Sequence, residues 1–487
     1  MKNRSNLPHL TTVGFIPVVL LLILGSYSCR ACRDSSSPAD VTINKAVVPV
    51  DSYADVVARA APAVVTIRSE RRVRAPQQHP FFHDFFGLPF QGTPMIPRDR
   101  VERGLGSGVI VSADGYILTN HHVIDGAQEI TVETSDRRAY NAKVVGSDPP
   151  SDLAVLKVDA SNLPVLALGN SDQVRVGDVA LALGNPLGIG QTVTAGIISA
   201  KGRSTGLSDG SFEDFLQTDA PINRGNSGGA LVNTSGELIG INSQIISPTG
   251  GNIGIGFAIP SNMARTVMDQ LIKSGSVRRG QLGVTIQPVT SDIAASLGMS
   301  EARGVLVNSV TPGSAAERAG IRRGDVIAAF NGEAVDDGNS LRNRVASTPP
   351  GTEVTLTILR DGKEQQVRAT LGEYSGPANQ PGSPGGNGGG SSDGKLGVMV
   401  QPLTPELAAR LGLPQDTQGL VVAGVEPGSP AADAGIQQGD VIMEADRQPV
   451  RSVADLTGAI ERAGDRPLLL LINRRGQTAF LTVRPRQ

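Results

Sequence analysis

Asp219-Ala220-Pro221-Ile222-Asn223-Arg224-Gly225-Asn226-Ser227-Gly228-Gly229-Ala230-Leu231 is the stretch on which the reading of this chain turns. Gly225 before the serine and Gly228 and Gly229 after it allow the backbone to turn sharply and to approach a ligand closely. Two converging backbone N–H groups beside such a serine can hold the oxyanion of an acyl-transfer intermediate. Taken alone, the segment fits a Gly-rich hairpin equally well.

A serine nucleophile needs a base, and the chain holds 5 histidines. His9 lies in an N-terminal apolar leader, and His79 and His83 flank a phenylalanine cluster. His121 and His122 follow Gly115-Tyr116-Ile117-Leu118-Thr119-Asn120, which reads as the far strand of an Asp114-Gly115 hairpin. Adjacent residues on a strand face opposite ways, so at most one of the two would meet Ser227. A carboxylate must orient that base, and Asp152 follows Pro149-Pro150-Ser151 and opens the apolar run Leu153 to Val158. Most Asp residues at such points only cap or turn. His122, Asp152, Ser227 is nevertheless the chain order of the chymotrypsin-type arrangement.

Around these residues, apolar runs such as Ala63-Val64-Val65-Thr66-Ile67, Val109-Ile110-Val111 and Leu153-Ala154-Val155-Leu156 alternate with Gly, Asp, Asn and Pro turn signals. Many short strands with regular turns predict an all-β barrel or sandwich over residues 53–275, not a βαβ sheet. Further on, residues 304–327 match residues 419–442 without a gap at 14 of 24 positions. This internal repeat predicts two small domains, 276–374 and 395–487. Each copy carries a Pro-Gly-Ser helix start (Pro312-Gly313-Ser314, Pro427-Gly428-Ser429), an Ala-rich helix stopped by Gly320 or Gly435, and Gly-Asp before a strand. Between the copies, residues 375–394 hold eight Gly and three Pro and read as a flexible linker spanning about 25 Å.

The three active-site motifs Thr119-Asn120-His121-His122-Val123, Ser151-Asp152-Leu153-Ala154 and Gly225-Asn226-Ser227-Gly228-Gly229 resemble those of the HtrA (DegP, Do-like) serine proteases. The two repeats resemble that family's two PDZ domains, and the resemblance runs from Tyr53 to Arg486. It implies a mainly β chain with a chymotrypsin-like double β-barrel followed by two PDZ domains. The family's base immediately precedes Val, which selects His122 as general base and acid. The same resemblance implies that Asp152 orients it and that Ser227 is the nucleophile. The resemblance also implies an oxyanion hole formed by the N–H groups of Gly225 and Ser227 and shaped by Asn226. Ile222 and Ile241-Asn242-Ser243-Gln244-Ile245, in the strand from Ile239, match the lining of the primary specificity pocket. An aliphatic lining suits Val, Ala or Ile before the scissile bond.

In each repeat a Gly leads into a strand, in Leu282-Gly283-Val284-Thr285-Ile286 and in Leu396-Gly397-Val398. Exposed N–H groups of such a loop can hold a peptide carboxylate while the strand edge adds the peptide as an extra strand. In proteins that this chain resembles, the loop does so. Arg278 and Arg279 stand close by in sequence and could add charge attraction.

The resemblance implies an ATP-independent endopeptidase of the cell envelope that degrades misfolded proteins and binds their C-termini or extended segments. A binding scaffold or chaperone with minor proteolysis is the alternative. No Gly-x-x-x-x-Gly-Lys-Ser/Thr loop occurs, in keeping with independence of ATP. A homotrimer, or a multiple of trimers, is the implied assembly. Of 487 residues, 44 are Lys or Arg and 46 Asp or Glu, so a net charge of −2 gives no whole-molecule basis for binding nucleic acid or an anionic membrane. No cofactor or metal is expected, since His79 and His83 lack an organised set of further ligands.

Lys2 and Arg4, then the apolar run Val13 to Leu24, then small residues before Cys29, form a signal over residues 1–28 that implies export to the periplasm. An uncleaved membrane anchor, or lipid on Cys29, is the alternative. Residues 29–52 read as a tether. The 2 cysteines, Cys29 and Cys32, sit at the edge of the signal, leaving the folded part without a disulfide. Of the 11 phenylalanines, five fall between Phe81 and Phe90. Pro80, Gly87 and Pro89 argue against a long helix or central strand there. The segment lies between the first strand and a Gly104-Leu105-Gly106-Ser107-Gly108 turn, where the family that the chain resembles carries a regulatory loop touching a neighbouring subunit, and a satellite core is the alternative.

Overall fold

The computed structural model describes residues 52–73, 100–185, 190–206, 211–246, 251–375, 391–393 and 395–486. The leader, the tether, the phenylalanine cluster and most of the inter-repeat linker lie outside the described residues.

Twelve strands form two closed six-stranded barrels. The first contains β1 (Val64–Val73), β2 (Arg100–Ile110), β3 (Tyr116–Thr119), β4 (Glu129–Glu133), β5 (Ala139–Asp148) and β6 (Leu153–Val158), in the order β1-β2-β3-β6-β5-β4. The second contains β7 (Val179–Gly184), β8 (Thr192–Arg203), β9 (Phe215–Thr218), β10 (Ala230–Val232), β11 (Leu238–Ile245) and β12 (Gly256–Pro260), in the order β10-β11-β12-β9-β8-β7. Closure pairs every strand on both edges, so neither barrel leaves a free ladder for aggregation. Ile67, Ile110, Ile117, Leu118, Leu153 and Leu156 are fully buried in the first, and Ile198, Leu216, Ile222 and Leu231 in the second.

Three local readings change. Gly104 to Gly108 reads as a turn, yet it is the inner part of β2. Its glycines answer close packing: a Cβ on Gly106 would stand 2.6 Å from Val123 Cγ1. The chain leaves β3 at Thr119, and His121–Ile124 form a helical turn, so the two histidines are not strand neighbours. The helix Ser261–Ser274 is absent from the all-β reading. It buries Ala264, Val267 and Leu271, one helical face, and ends at Gly275 with φ of +72°.

Each repeat is a small antiparallel sheet with a flanking helix, Gly338–Ser347 in the first and Val453–Ala463 in the second. The shared Pro-Gly-Ser becomes a one-turn helix capped by Ser314 or Ser429, whose side chains accept from Glu317 N and Ala432 N at 3.2 Å. The shared Gly-Asp has a structural role. Asp325 and Asp440, with side chains 2% and 1% exposed, each take two bonds from one arginine, Arg360 or Arg474. A carboxylate buried so deeply needs such a partner.

The repeats also pack on each other. Val289, Ile293, Leu306 and Val326 of the first share one apolar cluster with Leu469, Leu471 and Phe480 of the second. The Gln287 amide donates to Phe480 O at 2.9 Å and accepts from Phe480 N at 3.0 Å, which fixes the second sheet's register against the first.

Candidate active site

Asp152 is the geometric centre of the site. Asp148 caps the 3₁₀ turn Pro149–Ser151 by accepting from Ser151 N at 3.1 Å and from the Ser151 hydroxyl. The turn leaves Asp152 in the left-handed region, φ +53° and ψ +39°, an uncommon conformation for a residue with a side chain. His122 Nδ1 lies 2.8 Å from Asp152 Oδ2 and 3.0 Å from Oδ1, His122 N donates to Oδ1 at 3.0 Å, and Ser243 Oγ donates to Oδ2 at 3.0 Å. Two backbone ties hold the same elements together: Asn120 Nδ2 and His121 N donate to Asp152 O at 2.9 and 3.1 Å.

These contacts set the tautomer. With Asp152 ionised, Nδ1 carries the proton toward it, and Nε2 is left as the basic nitrogen. Burial pushes the His122 pKa down, but the charge of Asp152 and its hydrogen bond outweigh that, and the net shift is upward from 6.5. For Asp152, burial pushes upward, while the His122 charge and the bonds from His122 and Ser243 carry it below its ordinary value. The His122 side chain remains 48% exposed, open to a substrate.

The Ser227 loop is held by the inter-barrel frame. Ser107 N donates to Ser227 O at 2.8 Å, Ser107 Oγ donates to Gly225 O at 2.5 Å, and Thr119 Oγ1 donates to Ser107 O at 2.7 Å. On the other side Gly228 N donates to Asn242 O at 2.7 Å, next to the Ser243 that holds Asp152. The two sides tie the serine loop to β2 of the first barrel and β11 of the second, the latter carrying the Ser243 that holds Asp152. No hydrogen bond joins Ser227 to His122 among the described residues; such bonds often tighten only when substrate binds.

Gly225 and Gly228 have φ of +94° and +82°. At Gly228 a Cβ would collide with Ser107 O and Thr119 Oγ1, so glycine is required on both counts. The N–H groups of Gly225 and Ser227 donate to no acceptor among the described residues, which leaves both for a ligand. The Asn226 N–H is used, donating to Asn223 O at 3.0 Å, and closes the turn beneath them.

The expected pocket residues differ in what they touch. Ile222 and Ile245 pack in the second barrel's cluster, with Ile222 against Gly256, and Gln244 Nε2 lies 3.4 Å from Thr205 Oγ1. Ile241 is in the core shared with the first barrel, and Asn242 Nδ2 donates to Leu183 O and Ala230 O at 3.3 and 3.0 Å. Ser243 grips Asp152.

Ser107 and Asn120 carry no separate signal in the sequence reading beyond their place among glycines and beside the histidines. Their importance comes from partners 118 and 32 residues away.

The first repeat touches the back of the site. Arg279 Nη1 and Nη2 donate to Asp148 Oδ1 and Oδ2 at 2.8 and 2.5 Å, with side-chain exposures of 9% and 6%. Phe212 N donates to Pro150 O at 2.7 Å, and the Phe212 ring lies between the guanidiniums of Arg279 and Arg342 at 4.6 and 4.7 Å. Asn339 and Asn343, on the helix of the first repeat, donate to Glu213 O at 2.8 and 2.6 Å. Arg278 pairs with Glu373 at 2.8 and 2.7 Å. Neither arginine is therefore free to attract a peptide carboxylate.

In both repeats the Leu-Gly loop is held from below. Thr311 N and Ala316 N donate to Gly283 O and Leu282 O at 2.9 and 2.8 Å, and Glu426 N and Ala431 N donate to Gly397 O and Leu396 O at 2.9 and 3.1 Å. The carbonyls are thus occupied, while the N–H groups of these four residues find no acceptor among the described residues. No group of three or more His, Cys, Asp or Glu suited to a metal occurs among the described residues, and no helix there is long and apolar enough to cross a membrane.

Comparison with known proteins agrees with this architecture. Residues 106–241 match the trypsin-like peptidase domain family, and residues 280–371 and 421–474 match PDZ domain families. The chain is 44% identical over 450 residues to the probable periplasmic serine endoprotease DegP-like of Chlamydia muridarum, covering 89% of this chain and 88% of that protein. It is 43% identical over 439 residues to the periplasmic pH-dependent serine endoprotease DegQ of Escherichia coli K12, covering 90% and 92%. Among solved structures, the HtrA-type protease AlgW with decapeptide superposes at a TM-score of 0.54 with 47% identity, covering 67% of this chain and 100% of that one.

Proposed function

Because this chain belongs to the DegP-like family of periplasmic serine endoproteases, we propose that His122, Asp152 and Ser227 are its catalytic residues. The chain is a serine endopeptidase with two PDZ domains. The observation that carries the residue assignment is the Asp152 carboxylate, held by His122 Nδ1, His122 N and Ser243 Oγ. Such a carboxylate keeps the proton on Nδ1 and stabilises the imidazolium formed during attack.

Ser227 Oγ adds to the scissile carbonyl while His122 Nε2 takes its proton. The oxyanion accepts from the N–H groups of Gly225 and Ser227, which Asn226 holds in place. His122 returns the proton to the leaving amine as the C–N bond breaks; water, giving its proton to His122, then adds to the acyl-enzyme, and the bond to Ser227 Oγ breaks as Oγ takes that proton back and the carboxylic acid product leaves. Ile222 and Ile245 favour Val, Ala or Ile before the scissile bond, with Gln244 at the pocket's rim. Replacing Ser227 by Ala abolishes casein cleavage with the fold intact; retention of cleavage would remove the assignment.

The remaining parts of the reading follow from the domains. The protease occupies 53–275 and the PDZ domains 276–374 and 395–487, joined by a 375–394 linker. The loops Leu282-Gly283-Val284 and Leu396-Gly397-Val398 receive peptide carboxylates, and Thr285 and Ile286 continue the accepting strand. Substrates are misfolded proteins of the cell envelope, degraded without ATP. A leader at 1–28 exports the chain, which assembles as trimers or multiples of trimers. The relatives, named as endoproteases, favour this reading over a binding scaffold with minor proteolysis.

A further inference from the structure

The two repeats share the Leu-Gly loop but differ in what lies beside the strand that follows it. In the first, the segment leading into the loop, Gly280–Gln281, pairs with Gly372–Glu373, away from that strand. Among the described residues Val284–Pro288 has one partner, Val305–Val310, and ends its sheet. In the second, the incoming chain folds back instead. Ser391–Asp393 runs antiparallel to Val398–Pro402, with Ser391 opposite Val400, Ser392 opposite Met399 and Asp393 opposite Val398. Leu420–Val425 holds the other edge, so Val398–Pro402 is paired on both sides.

Peptide capture by strand addition needs an edge whose N–H and C=O groups are unpaired. A C-terminal peptide that docks its carboxylate at the Leu396–Gly397 loop would run antiparallel to Val398–Pro402, its last residues level with Val398 and Met399. Ser391–Asp393 has that direction and that level, and its own last residue faces the first residue after the loop. The floor beside this strand is apolar: Leu396, Val398, Val400, Leu456 and Ile460 share one buried cluster, which suits a peptide ending in an aliphatic residue.

We propose that Ser391–Asp393 is a built-in competitor on the peptide-accepting edge of the second PDZ domain. An external C-terminal peptide binds there only by displacing it, while the first domain's edge stands open. This rests on the reading of the two Leu-Gly loops as peptide-carboxylate sites. A segment a few residues from its own site acts at an effective concentration on the order of millimolar, so peptides at micromolar levels compete poorly. If the edge is free about a tenth of the time, apparent affinity falls about tenfold.

Hydrogen–deuterium exchange on the full chain carrying Ser227→Ala tests this, because the two strands report separately. The probe is a decapeptide ending in Ser-Val-Val with a free carboxylate. In the otherwise unchanged chain it protects 284–288 at about a tenth of the concentration needed to protect 398–402. Ser391→Pro, Ser392→Pro and Asp393→Pro together remove the ladder donors of the competing strand. In that variant, 398–402 exchange faster without peptide and are protected at the concentration that protects 284–288.

A second variant carries Ser392→Cys and Met399→Cys, with Cys29→Ser and Cys32→Ser. Oxidised, it shows no protection at 398–402, and reduction restores it. The proposal is overturned if the unchanged chain protects both strands at one concentration. It is also overturned if the proline variant leaves the 398–402 threshold where it was. Protection at 284–288 alone in every variant removes this proposal but keeps the peptide-carboxylate reading, whereas protection at neither strand removes both.

Discussion

Replacing Arg279 by Met is expected to loosen the first PDZ domain from the protease and to disturb Asp152. The substitution keeps most of the side chain's bulk and removes the guanidinium. It leaves Asp148, whose side chain is 6% exposed, with only Ser151 N and the Ser151 hydroxyl as donors. Deleting one member of a buried ion pair costs about 3–5 kcal/mol, because the remaining charge is neither paired nor solvated. At about 1.4 kcal/mol per decade, this shifts the docking equilibrium by two to three and a half orders of magnitude. The molecule has one escape: if the PDZ domain moves away, water reaches Asp148, so the observed loss is capped at the docking free energy. The contact of the Arg279 guanidinium with the Phe212 ring is lost as well.

The test is a double-mutant cycle of Arg279→Met and Asp148→Asn in the Ser227→Ala background, read by urea unfolding, with peptide hydrolysis measured in the Ser227 counterparts. Each single variant should be destabilised and the double variant less than additively so, with a coupling of about 2–4 kcal/mol. Peptide hydrolysis should fall in the Asp148→Asn variant, since that carboxylate caps the turn that places Asp152. A coupling below about 0.5 kcal/mol, within the usual additivity of independent sites, would refute the reasoning.

The pH dependence follows from His122. Its folded pKa lies above 6.5, and it must be neutral to accept the Ser227 proton, so kcat/KM for a short peptide should be lost on acidification with a midpoint above 6.5. The stability linkage has the matching sign: the His122–Asp152 attraction contributes fully below pH 6.5 and fades as pH rises through the folded His122 pKa. An acid-limb midpoint at or below 6.5 would contradict this. Gly228→Ala should abolish hydrolysis and lower Tm, because its Cβ would meet the Ser107 carbonyl and Thr119 Oγ1 at a φ of +82°. Wild-type activity in that variant would show that the serine loop is not held as described.

Much of the architecture was legible in short-range pattern. Apolar runs of strand length broken by turn residues indicate barrels, since alternation along a strand decides which side is buried. A 14-of-24 repeat indicates duplicated domains, because near-identical local preferences fold alike. Where the reading slipped, longer-range packing was the cause. Gly104 to Gly108 has turn composition, but Val123 and Ser69 press on that backbone and hold it as a strand. His121 and His122 follow a strand-like run, but Asp152 O and the Asn120 amide draw the chain into a helical turn. Helix Ser261–Ser274 carries its apolar stripe plainly, and the all-β expectation passed over it.

The same division holds at the site. The residue types, their chain order and the glycines around Ser227 are local properties, so the sequence by itself determined the candidate chemistry and the β-rich, duplicated plan. Ser107 under Gly225, Ser243 on Asp152 and Arg279 on Asp148 join residues 118, 91 and 131 positions apart. At the second PDZ edge the hairpin of Ser391–Asp393 with Val398–Pro402 is local, whereas the first PDZ edge is set, like the contacts above, by a long-range pairing of Gly280–Gln281 with Gly372–Glu373. The long-range contacts exist only once the barrels have closed and the domains have docked. Hydrogen-bond partners of buried groups are chosen by which strands the packed core brings within about 3 Å, and no run of neighbouring residues encodes that choice.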